Sequence, residues 1–535
     1  MRKDLERAFP DFDEGRVVFR DDGLLVVDKP AGVSSQAADP EVHDDLPARL
    51  RGIAPYLGTH QRLDAETSGL VLFTTERSAN ASIAEQFEKR RVKKTYLACV
   101  APAPRAREGT LRDLIDGKQA VMGFRVLERR GERALVAVDL QTGRTHQARI
   151  QLARAGSPIA GDRTYGGAPA PRLMLHASGL ALASPSGRRL ELRAPDPPEM
   201  REWLERGDRG ARVYDDDAAL RRALALAFER RWGLLRAMPA ARATTVMRLA
   251  NDEGDALPGL AIDYYAGYAV ASFYREIAAR ERVLDAVASF GFDGVYEKSR
   301  PKDARASAAE REVLAPRAPS RGTAAPSPLV VHEEGLPYLV RLDDGLATGF
   351  YADQRQNRVR VRAASAGARV LNLFAYTCAF SVAASAGGAA RVVSVDASAS
   401  FLERGRENVA RAGFDLGAHD FVASDARAWL ERAARKGERF DVVVLDPPSF
   451  GTAGGRTFAV ARDFVPLCAL ALSVLAPRGR MLASVNHAKT DQDAFRHAVQ
   501  RAAREASVRA AVRDLPPPRD FPLPALKAVW VTREV

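Results

Sequence analysis

The chain has 535 residues, of which 46% are hydrophobic and 28% are charged, and it carries a formal net charge of +12. This length exceeds what one hydrophobic core usually organises, so we expect two to four domains, and no apolar run reaches the roughly 18 to 20 residues of a membrane-spanning helix. The charged N-terminus lacks the apolar stretch of a secretory signal, which predicts a soluble cytoplasmic protein.

Cysteine content and charge narrow the class of protein further. Cys99, Cys378 and Cys468 are too widely spaced for a disulfide framework or for paired metal ligands, so we predict no metal site. The positive charge favours a polyanionic partner, because phosphate neutralisation dominates nucleic-acid affinity. A genomic base bias toward arginine explains the charge equally well, so charge alone does not decide.

Apolar runs typical of strands occupy the first two hundred residues, at 23–28, 69–73 and 134–140. We therefore predict a mixed, sheet-dominated α+β domain over residues 1–205. Near residue 195 the composition turns polar, and an aspartate triplet at 215–217 can cap a helix that carries apolar side chains at near-helical spacing. This helix predicts a linker over residues 206–240.

A small α/β domain, expected to bind substrate, is predicted over residues 241–335. Strand patterns at 245–249 and 259–263 are followed by a helical pattern at 280–288. Residues 301–328 are rich in Ala, Pro, Arg and Ser and poor in large apolar side chains, which predicts a flexible insertion.

Buried strands alternate with helices over residues 336–535. The apolar runs at 370–374, 392–396, 421–423, 441–446 and 480–485 are nearly continuous. Such runs, separated by helices, predict a doubly wound, Rossmann-like parallel sheet, so the whole chain is of the α/β multidomain class.

The first candidate for chemistry is Asp64, which stands two residues after Arg62 and just before Thr67, Ser68 and Gly69. This pattern predicts a carboxylate on a tight loop with hydroxyl and backbone donors nearby. Such a carboxylate can stay ionised and attack, or take a proton from, a sugar carbon. The alternative is a turn aspartate whose charge is paired with Arg62.

The second candidate is a cofactor site at the ends of the parallel strands. Asp396, Asp425 and Asp446 end successive strands, where carboxylates can accept from ribose hydroxyls and an adenine amine. The pyrophosphate fingerprint Gly-x-Gly-x-x-Gly is missing, which favours S-adenosylmethionine (SAM) over a dinucleotide. Each aspartate taken singly is equally typical of a helix cap. The other cofactor residues predicted here are Asn372, Phe374, Tyr376, Thr377 and Pro447.

Residues 17–200 resemble the RluA-type pseudouridine synthases, through blocks at 26–32, 62–69, 93–98, 143–149, 158–166 and 172–177. The resemblance implies isomerisation of uridine without a cofactor. It makes Asp64 the catalytic aspartate, Tyr96 the ring against the target base, and Arg149 the cation that holds Asp64. Arg62 would help to extrude the base. Gln61 departs from the family pattern, which has histidine there, and His60 stands one position earlier.

The region from 245 to the C-terminus resembles the RlmI/RlmK-type ribosomal RNA methyltransferases, through blocks at 251–260, 295–299, 348–358 and 446–450. The resemblance implies a class I SAM-dependent enzyme that acts on ribosomal RNA of the large subunit. The block at 348–358 is expected to lie over the cofactor, through Phe350, Asp353, Gln354 and Arg358.

The atom that is methylated depends on cysteine chemistry. Methylation at C5 of a pyrimidine needs a thiolate, whereas a guanine nitrogen needs only positioning and proton removal. In cytosine-modifying relatives a cysteine follows the fifth strand, where this chain has Ser484, Val485, Asn486 and His487. Guanine is therefore favoured, with Asp446 accepting from the base, Phe450 stacking on it, and Asn486 or His487 near the pocket.

Two alternatives remain. The first is a cytosine-C5 methyltransferase that uses Cys378, although this cysteine also suits a small buried position. The second is an RNA-binding or ribosome-assembly factor with only one active site. The presence of both signatures favours a bifunctional enzyme that modifies RNA.

Overall fold

The structure is a computed structural model that describes residues 12–36, 45–207, 212–236, 242–300, 312–453, 456–487, 490–522 and 525–535, without the side chains of 450–453, 456 and 457. The chain forms two compact units. The first comprises residues 1–238, 255–258 and 277–291, and the second comprises 239–254, 259–276 and 292–535. No helix in the described ranges is long and apolar enough to cross a membrane.

A ten-stranded sheet organises the first unit. Its main path runs β1-β2-β4-β9-β5-β8-β7-β6, with β3 paired to β4 and β10 paired to β9. The strands are β1 (Val17–Asp21), β2 (Leu24–Lys29), β3 (Gly58–Thr59), β4 (Ser68–Thr74), β5 (Lys93–Val100), β6 (Glu108–Ile115), β7 (Lys118–Arg130), β8 (Arg133–Leu140), β9 (Leu175–Ala183) and β10 (Arg189–Arg193).

Helices and two separate cores complete this unit. Because successive strand residues point to opposite faces, Leu25 and Val27 of β2 pack in one core while Leu24 and Val26 pack in the other. The helices are α1 (Leu46–Arg49), α2 (Asn80–Glu88), α3 (Gln147–Arg154), α4 (Pro198–Arg206), α5 (Asp217–Glu229), α6 (Trp232–Arg236) and α7 (Arg280–Ala288).

One glycine is required where β4 begins. Gly69 has φ +112°, and a Cβ atom at this position would lie 2.3 Å from the carbonyl oxygen of Ala177. This close approach allows β4 to pair in parallel with β9 directly after the loop that carries Asp64.

The segment predicted as a linker helix forms α5 and α6, and both belong to the first unit. Asp216 caps α5 by accepting a hydrogen bond of 2.6 Å from the Ala219 amide, as the aspartate triplet suggested. Phe228 of α5 packs against Phe290 with ring centroids 4.6 Å apart, so its apolar face is occupied inside this unit.

The second unit begins with a five-stranded sheet in the order β11-β12-β13-β14-β15 and a two-stranded hairpin. The sheet strands are β11 (Val246–Asn251), β12 (Leu260–Tyr265), β13 (Tyr268–Phe273), β14 (Gly294–Ser299) and β15 (Arg321–Gly322). The hairpin consists of β16 (Leu329–Glu333) and β17 (Leu336–Val340).

The prediction of a flexible insertion over residues 301–328 is wrong at β15. The amides of Ser320 and Thr323 donate hydrogen bonds of 2.8 Å to the carbonyls of Val295 and Asp293. Backbone pairing of this kind does not depend on large apolar side chains, so composition alone does not reveal it. Residues 301–311 lie outside the described part of the chain.

A seven-stranded sheet in the order β20-β19-β18-β21-β24-β26-β25 forms the rest of this unit and confirms the Rossmann-like prediction. Its first five strands are parallel, and β26 pairs antiparallel with both β24 and β25. The strands are β18 (Arg369–Leu373), β19 (Arg391–Asp396), β20 (His419–Ala423), β21 (Phe440–Leu445), β24 (Leu475–Asn486), β25 (Ala510–Asp514) and β26 (Leu526–Arg533), with a hairpin of β22 (Phe450–Ala453) and β23 (Arg456–Ala459) after β21.

The helices of this unit cover the sheet. In β18, Leu371 and Leu373 face one core while Val370 faces another, so both sheet faces are buried, as expected for parallel strands. The helices are α8 (Arg355–Ala364), α9 (Ala379–Ala386), α10 (Ala399–Arg411), α11 (Ala426–Arg435), α12 (Val460–Ser473) and α13 (Gln492–Glu505).

Candidate active sites

A cavity of about 1470 Å³ in the first unit contains Asp64. Aromatic and mostly basic side chains surround the carboxylate, and this composition suits a nucleotide base with its phosphates. The lining residues of these kinds are Phe87, Tyr96, Arg62, Arg90, Lys93, Lys94, Arg144, His60 and His146.

The loop that carries Asp64 is held by buried hydrogen bonds. The Thr67 amide donates to the Asp64 carbonyl at 3.0 Å. Ser35 Oγ both donates to the Leu63 carbonyl and accepts from the Leu63 amide, each at 2.9 Å. These contacts fix the backbone on both sides of the carboxylate.

Lys29 supports the same loop from inside the protein. Its ammonium is fully buried and donates to the carbonyls of Pro30, Val33 and Ala65 at 3.0, 2.7 and 2.9 Å. Burial lowers the pKa of Lys29 to about 7. We did not single out Lys29 from the sequence, although it lies in the first block of the RluA-type resemblance.

Asp64 pairs with Arg149 in the described structure. Arg149 Nη1 donates to Asp64 Oδ2 at 3.1 Å, while Nε and Nη2 bind both carboxylate oxygens of Asp162 at 2.7 and 3.0 Å. The interpretation of Asp64 as a turn residue paired with Arg62 is therefore wrong, because Arg149 occupies that role.

Asp162 orients the arginine and is itself held by backbone donors. Its side chain is fully buried and accepts from the amides of Thr164 and Tyr165 at 3.0 and 3.1 Å. Although burial acts in the opposite direction, the hydrogen bonds and charge of Arg149 leave the pKa of Asp162 below its usual value. Sequence reasoning missed Asp162 as a site residue, although it lies in a block that carried the resemblance.

Tyr96 and Arg62 occupy different positions in the cavity wall. Tyr96 is buried, and this burial together with the Asp64 charge raises the pKa of its phenol, which stays protonated at neutral pH. Arg62 is exposed and lines the cavity. The departure at Gln61 is accommodated, since its amide donates to the Leu70 carbonyl at 3.1 Å.

His146 is a cavity residue to which we assigned no role from the sequence. It precedes α3 with φ +53°, and its Nε2 lies 3.7 Å from Asp64 Oδ2. Its Nδ1 lies 3.0 Å from the Tyr165 hydroxyl, and the two rings meet edge to face.

A second cavity, of about 1550 Å³, lies at the carboxyl ends of the parallel strands in the second unit. It brings together most of the predicted cofactor and substrate residues. The predicted residues that line it are Asp353, Gln354, Phe374, Tyr376, Asp396, Asp425, Asp446, Pro447 and Asn486.

Asp396 is fixed at the end of β19 by the loop after β18. Its carboxylate accepts from the amides of Tyr376 and Ser398 at 2.9 and 2.8 Å. Phe374, Tyr376 and Cys378 all have positive φ, so the loop turns sharply around this carboxylate. Asp425 caps α11 by accepting a hydrogen bond of 2.9 Å from the Ala428 amide. It also lines the cavity, so this aspartate is both a helix cap and a residue of the candidate site.

Asp446 is oriented by a chain of side chains. Ser484 Oγ donates to Asp446 Oδ1 at 2.7 Å, Gln354 Nε2 donates to Ser484 Oγ at 3.1 Å, and Asn357 Nδ2 donates to Gln354 Oε1 at 2.6 Å. Burial raises the pKa of Asp446. Asp446 is thus held by Ser484 and Gln354, and it lines the cavity.

Asp353 lies on the same wall. Within the described residues no hydrogen bond reaches its carboxylate. Burial and the Asp446 charge raise the pKa of Asp353 to about 6. Two carboxylates with raised pKa values in one cavity are typical of a site that moves protons.

Four predicted cofactor residues do not line this cavity. Arg358 forms a buried two-bond pair with Glu333 at 2.6 and 2.7 Å and lies over the ring of Phe350. Thr377 donates to the Gly349 carbonyl at 2.6 Å, and Asn372 is buried in β18 with its amide bound to Ser381 at 2.9 Å. The side chains of Arg358, Thr377 and Asn372 make their described contacts behind the cavity wall, so a role of these four residues in holding the cofactor stays a prediction.

The predicted substrate residues have different outcomes. Asn486 ends β24 and lines the cavity. His487 Nδ1 instead lies 2.8 Å from Thr490 Oγ1, away from the lining residues. Phe450 begins β22, and its side chain lies outside the described structure.

Aromatic side chains that we did not predict form part of the wall. Tyr351, Phe401 and Phe458 line the cavity. Tyr376 contacts two of them, with centroids 5.5 Å from Tyr351 and 4.6 Å from Phe401. Tyr351 stands inside the block at 348–358, so the sequence contained a signal for it.

Cys378 is fully buried behind the loop, with its thiol against Gly405. Burial raises the pKa of Cys378 to about 12, so a thiolate does not form there at neutral pH. The alternative of a cytosine-C5 reaction through Cys378 is therefore not favoured. Burial likewise raises the pKa of Cys99 to about 12 and that of Cys468 still further.

Comparisons with known proteins match the parts of the chain that contain the two cavities to two enzyme families. The family described as RNA pseudouridylate synthase matches residues 23–154, and the S-adenosylmethionine-dependent methyltransferase family matches residues 325–529. Ribosomal RNA large subunit methyltransferase I of Aeromonas salmonicida (strain A449) is 34% identical over 51% of this chain and 68% of its own length. A Bacillus subtilis (strain 168) protein, YwbD, provisionally named as such a methyltransferase, is 33% identical over 52% of this chain and 71% of its own.

The chain belongs to this family of ribosomal RNA large subunit methyltransferases. A crystal structure provisionally described as a methyltransferase, in complex with SAH, is 26% identical, with a TM-score of 0.53 over 66% of this chain and 88% of that one. This chain also contains an RNA pseudouridylate synthase domain, so it combines two RNA-modifying enzyme domains.

The residues of the second cavity fit SAM. Asp396 uses one bond on each carboxylate oxygen, so lone pairs remain for ribose hydroxyls. Asp425 and Asp446 follow at the ends of the neighbouring strands, and the aromatic wall offers apolar surface to an adenine ring and a sulfonium. When bound, this group supplies an electrophilic methyl carbon.

Proposed function

We propose that this bifunctional enzyme isomerises uridine to pseudouridine at Asp64 and methylates a guanine nitrogen of large-subunit ribosomal RNA at Asp446. The single observation that carries the first activity is the 3.1 Å pair with Arg149 made by Asp64, which lines a cavity with mostly basic side chains. Four carboxylates, those of Asp353, Asp396, Asp425 and Asp446, around one cavity support the second activity.

The first reaction needs an extruded base and no cofactor. Arg62 is placed to displace the uridine from its stack, and Tyr96 offers a ring against the uracil. Arg149 holds the Asp64 carboxylate by a hydrogen bond of 3.1 Å, so this group can act on the sugar while the glycosidic bond breaks. The buried loop contacts hold Asp64 in place while the uracil turns.

The second reaction needs positioning and proton removal. Because all three cysteine thiols are buried with raised pKa values, a thiolate route to C5 of a pyrimidine has no candidate. A guanine nitrogen can donate to the carboxylate of Asp446, which lines the cavity, while Asn486 contacts the base. Phe450 stays a predicted stacking residue on the strength of its place directly after Asp446, Pro447, Pro448 and Ser449.

Large-subunit ribosomal RNA is the proposed partner, because the named relatives are ribosomal RNA large subunit methyltransferases. Such a substrate places the enzyme in the cytoplasm. The basic lining of the Asp64 cavity supports a polyanionic substrate.

The test uses RNA from cells that lack this chain. Purified enzyme with SAM is expected to add both pseudouridine and a methylated guanine, mapped by nucleoside mass spectrometry. Asp64→Asn is expected to lose only the pseudouridine, and millimolar SAH is expected to raise the melting temperature. Unchanged pseudouridine yield from Asp64→Asn would overturn the first assignment, and no thermal shift would overturn the second.

A further inference from the structure

Isomerisation of uridine to pseudouridine requires a proton transfer to which the roles proposed for Asp64, Arg62, Tyr96 and Arg149 assign no residue. When C1′ joins C5, that carbon still carries its hydrogen. The product forms only when the C5 proton leaves and the former glycosidic nitrogen, N1, gains a proton. A group beside the sugar must therefore accept one proton and donate one.

The neighbours of Asp64 offer few candidates for this task. Tyr96 is buried, and the raised pKa of its phenol prevents it from acting as a base at neutral pH. Arg149 is a permanent cation, held by Asp162 on one side and Asp64 on the other. Asp64 itself is engaged with the sugar and with Arg149.

His146 has the chemistry and the position. An imidazole both accepts and donates protons near neutral pH. Its Nε2 lies 3.7 Å from Asp64 Oδ2 on the cavity wall, so a base held against Asp64 also lies within reach of this nitrogen.

The ring of His146 is held from its other nitrogen. Nδ1 lies 3.0 Å from the Tyr165 hydroxyl. The ring of Tyr165 in turn packs against the Arg149 guanidinium, whose central carbon lies 5.1 Å from the centroid of that ring. With the proton on Nδ1, Nε2 presents its lone pair to the cavity.

We infer that His146 is the catalytic residue that takes the proton from C5 and returns it to N1. In this step the C5–H bond breaks, its electron pair restores the C5–C6 double bond, and the proton moves to Nε2. The same proton then passes to N1, so the isomerisation balances without a further reactant. This inference rests on the proposed function of the first cavity.

The test separates proton removal from the steps before it. RNA labelled with [5-³H]uridine, from cells lacking this chain, releases tritium only when the C5 proton leaves. RNA that contains 5-fluorouridine carries fluorine at C5, so its base can be joined to C1′ through C5 without that proton transfer. The C5-linked product survives acid hydrolysis and is measured by mass spectrometry.

His146→Asn is the informative variant, since asparagine tolerates the positive φ at this position. We expect tritium release to fall by at least about 100-fold. The C5-linked 5-fluoro product is expected to form within about two-fold of the wild-type rate in a single turnover. Asp64→Asn is the matched control and is expected to lose both signals.

Two results would overturn this role of His146. The first is tritium release by His146→Asn near the wild-type rate. The second is loss of the 5-fluoro product together with tritium release, which would make His146 a residue that positions Asp64. If the wild-type enzyme released no tritium and made no 5-fluoro product, both the proposed function and this inference would be wrong.

Discussion

Arg149 donates one hydrogen bond of 3.1 Å to Asp64, and it donates two more, from Nε and Nη2, to the carboxylate of Asp162. Asp162 is not among the residues that line the cavity, and it contacts the site through Arg149 and through the Tyr165 amide. The arrangement lets the arginine present one N–H group to the reactive carboxylate in a fixed direction.

This relationship predicts the effect of Asp162→Asn. The amide replaces one charged acceptor, and the loss of one charge-assisted hydrogen bond is worth about 1.5 kcal/mol. We expect single-turnover pseudouridine formation to slow by about ten-fold while methylation of RNA is unchanged. Arg189→Ala, which removes a surface ion pair of the same unit, is the control. A wild-type rate in Asp162→Asn would contradict the role given to this carboxylate.

Asp353 predicts a pH-dependent change in stability. Burial, followed by the Asp446 charge, raises its pKa from 3.8 to about 6 in the folded protein, although Arg248 and Arg358 act in the opposite direction. Because the raised value belongs to the folded state, the protonated carboxyl favours folding below pH 4, and this contribution is lost as the pH rises through 6.

Asp353→Asn is therefore expected to be more stable than the wild type at pH 8, by on the order of 1 to 3 kcal/mol, and equally stable below pH 4. Thermal melting across this range measures the difference. Asp116→Asn, on an exposed hairpin turn, is the control and is expected to show no such trend. A constant difference between pH 4 and pH 8 would show that Asp353 is not held with a raised pKa.

Cys378→Ala is expected to retain methyl transfer. The thiol is buried against Gly405 and its raised pKa keeps it protonated, so the substitution removes packing rather than chemistry. We expect a loss of about 1 kcal/mol in stability and an unchanged methylation rate. Cys468→Ala, buried in α12, is the matched control. Abolished methylation in Cys378→Ala alone would restore the thiolate route.

Asp396→Asn is expected to weaken SAH binding. An asparagine keeps only one acceptor oxygen, so one of the two amides of Tyr376 and Ser398 loses its partner and the loop loosens. One hydrogen bond to a charged group is worth about 1.5 to 3 kcal/mol, which predicts roughly ten- to hundred-fold weaker binding by calorimetry. Asp415→Asn is the control, since Asp415 makes the same kind of bond to the Gly417 amide away from the cavity. Equal affinities for Asp396→Asn and the wild type would refute the ribose assignment.

The sheets and the order of the domains could be predicted from local patterns. In β21 every residue except Asp441 is apolar, because a parallel sheet is buried on both faces, and this pattern is visible without any knowledge of folding partners. β15 escaped prediction, because its two residues, Arg321 and Gly322, pair through backbone groups that every amino acid carries.

For the two candidate sites as well, the sequence predicted some features and not others. Asp64, Asp396 and Asp446 were visible because each stands in a local motif at a strand end or a tight loop. Whether a motif residue faces the cavity or the core was not visible: Arg358 and Phe350 stand in the same block as Asp353, yet only Asp353 lines the cavity. The side-chain direction depends on packing against elements far away in the chain.

By itself, therefore, the sequence determined which residues can perform chemistry and which strands are buried, since both depend on residue type and short-range spacing. Only the tertiary structure decided which side chains contact each other. Arg149 contacts Asp64, 85 residues earlier in the chain, and Ser484 contacts Asp446, 38 residues earlier. Such contacts arise from the path of the backbone between them, which no local pattern specifies. The position of His146 beside Asp64 belongs to the same class, because it results from the fold that brings α3 against the loop after β3.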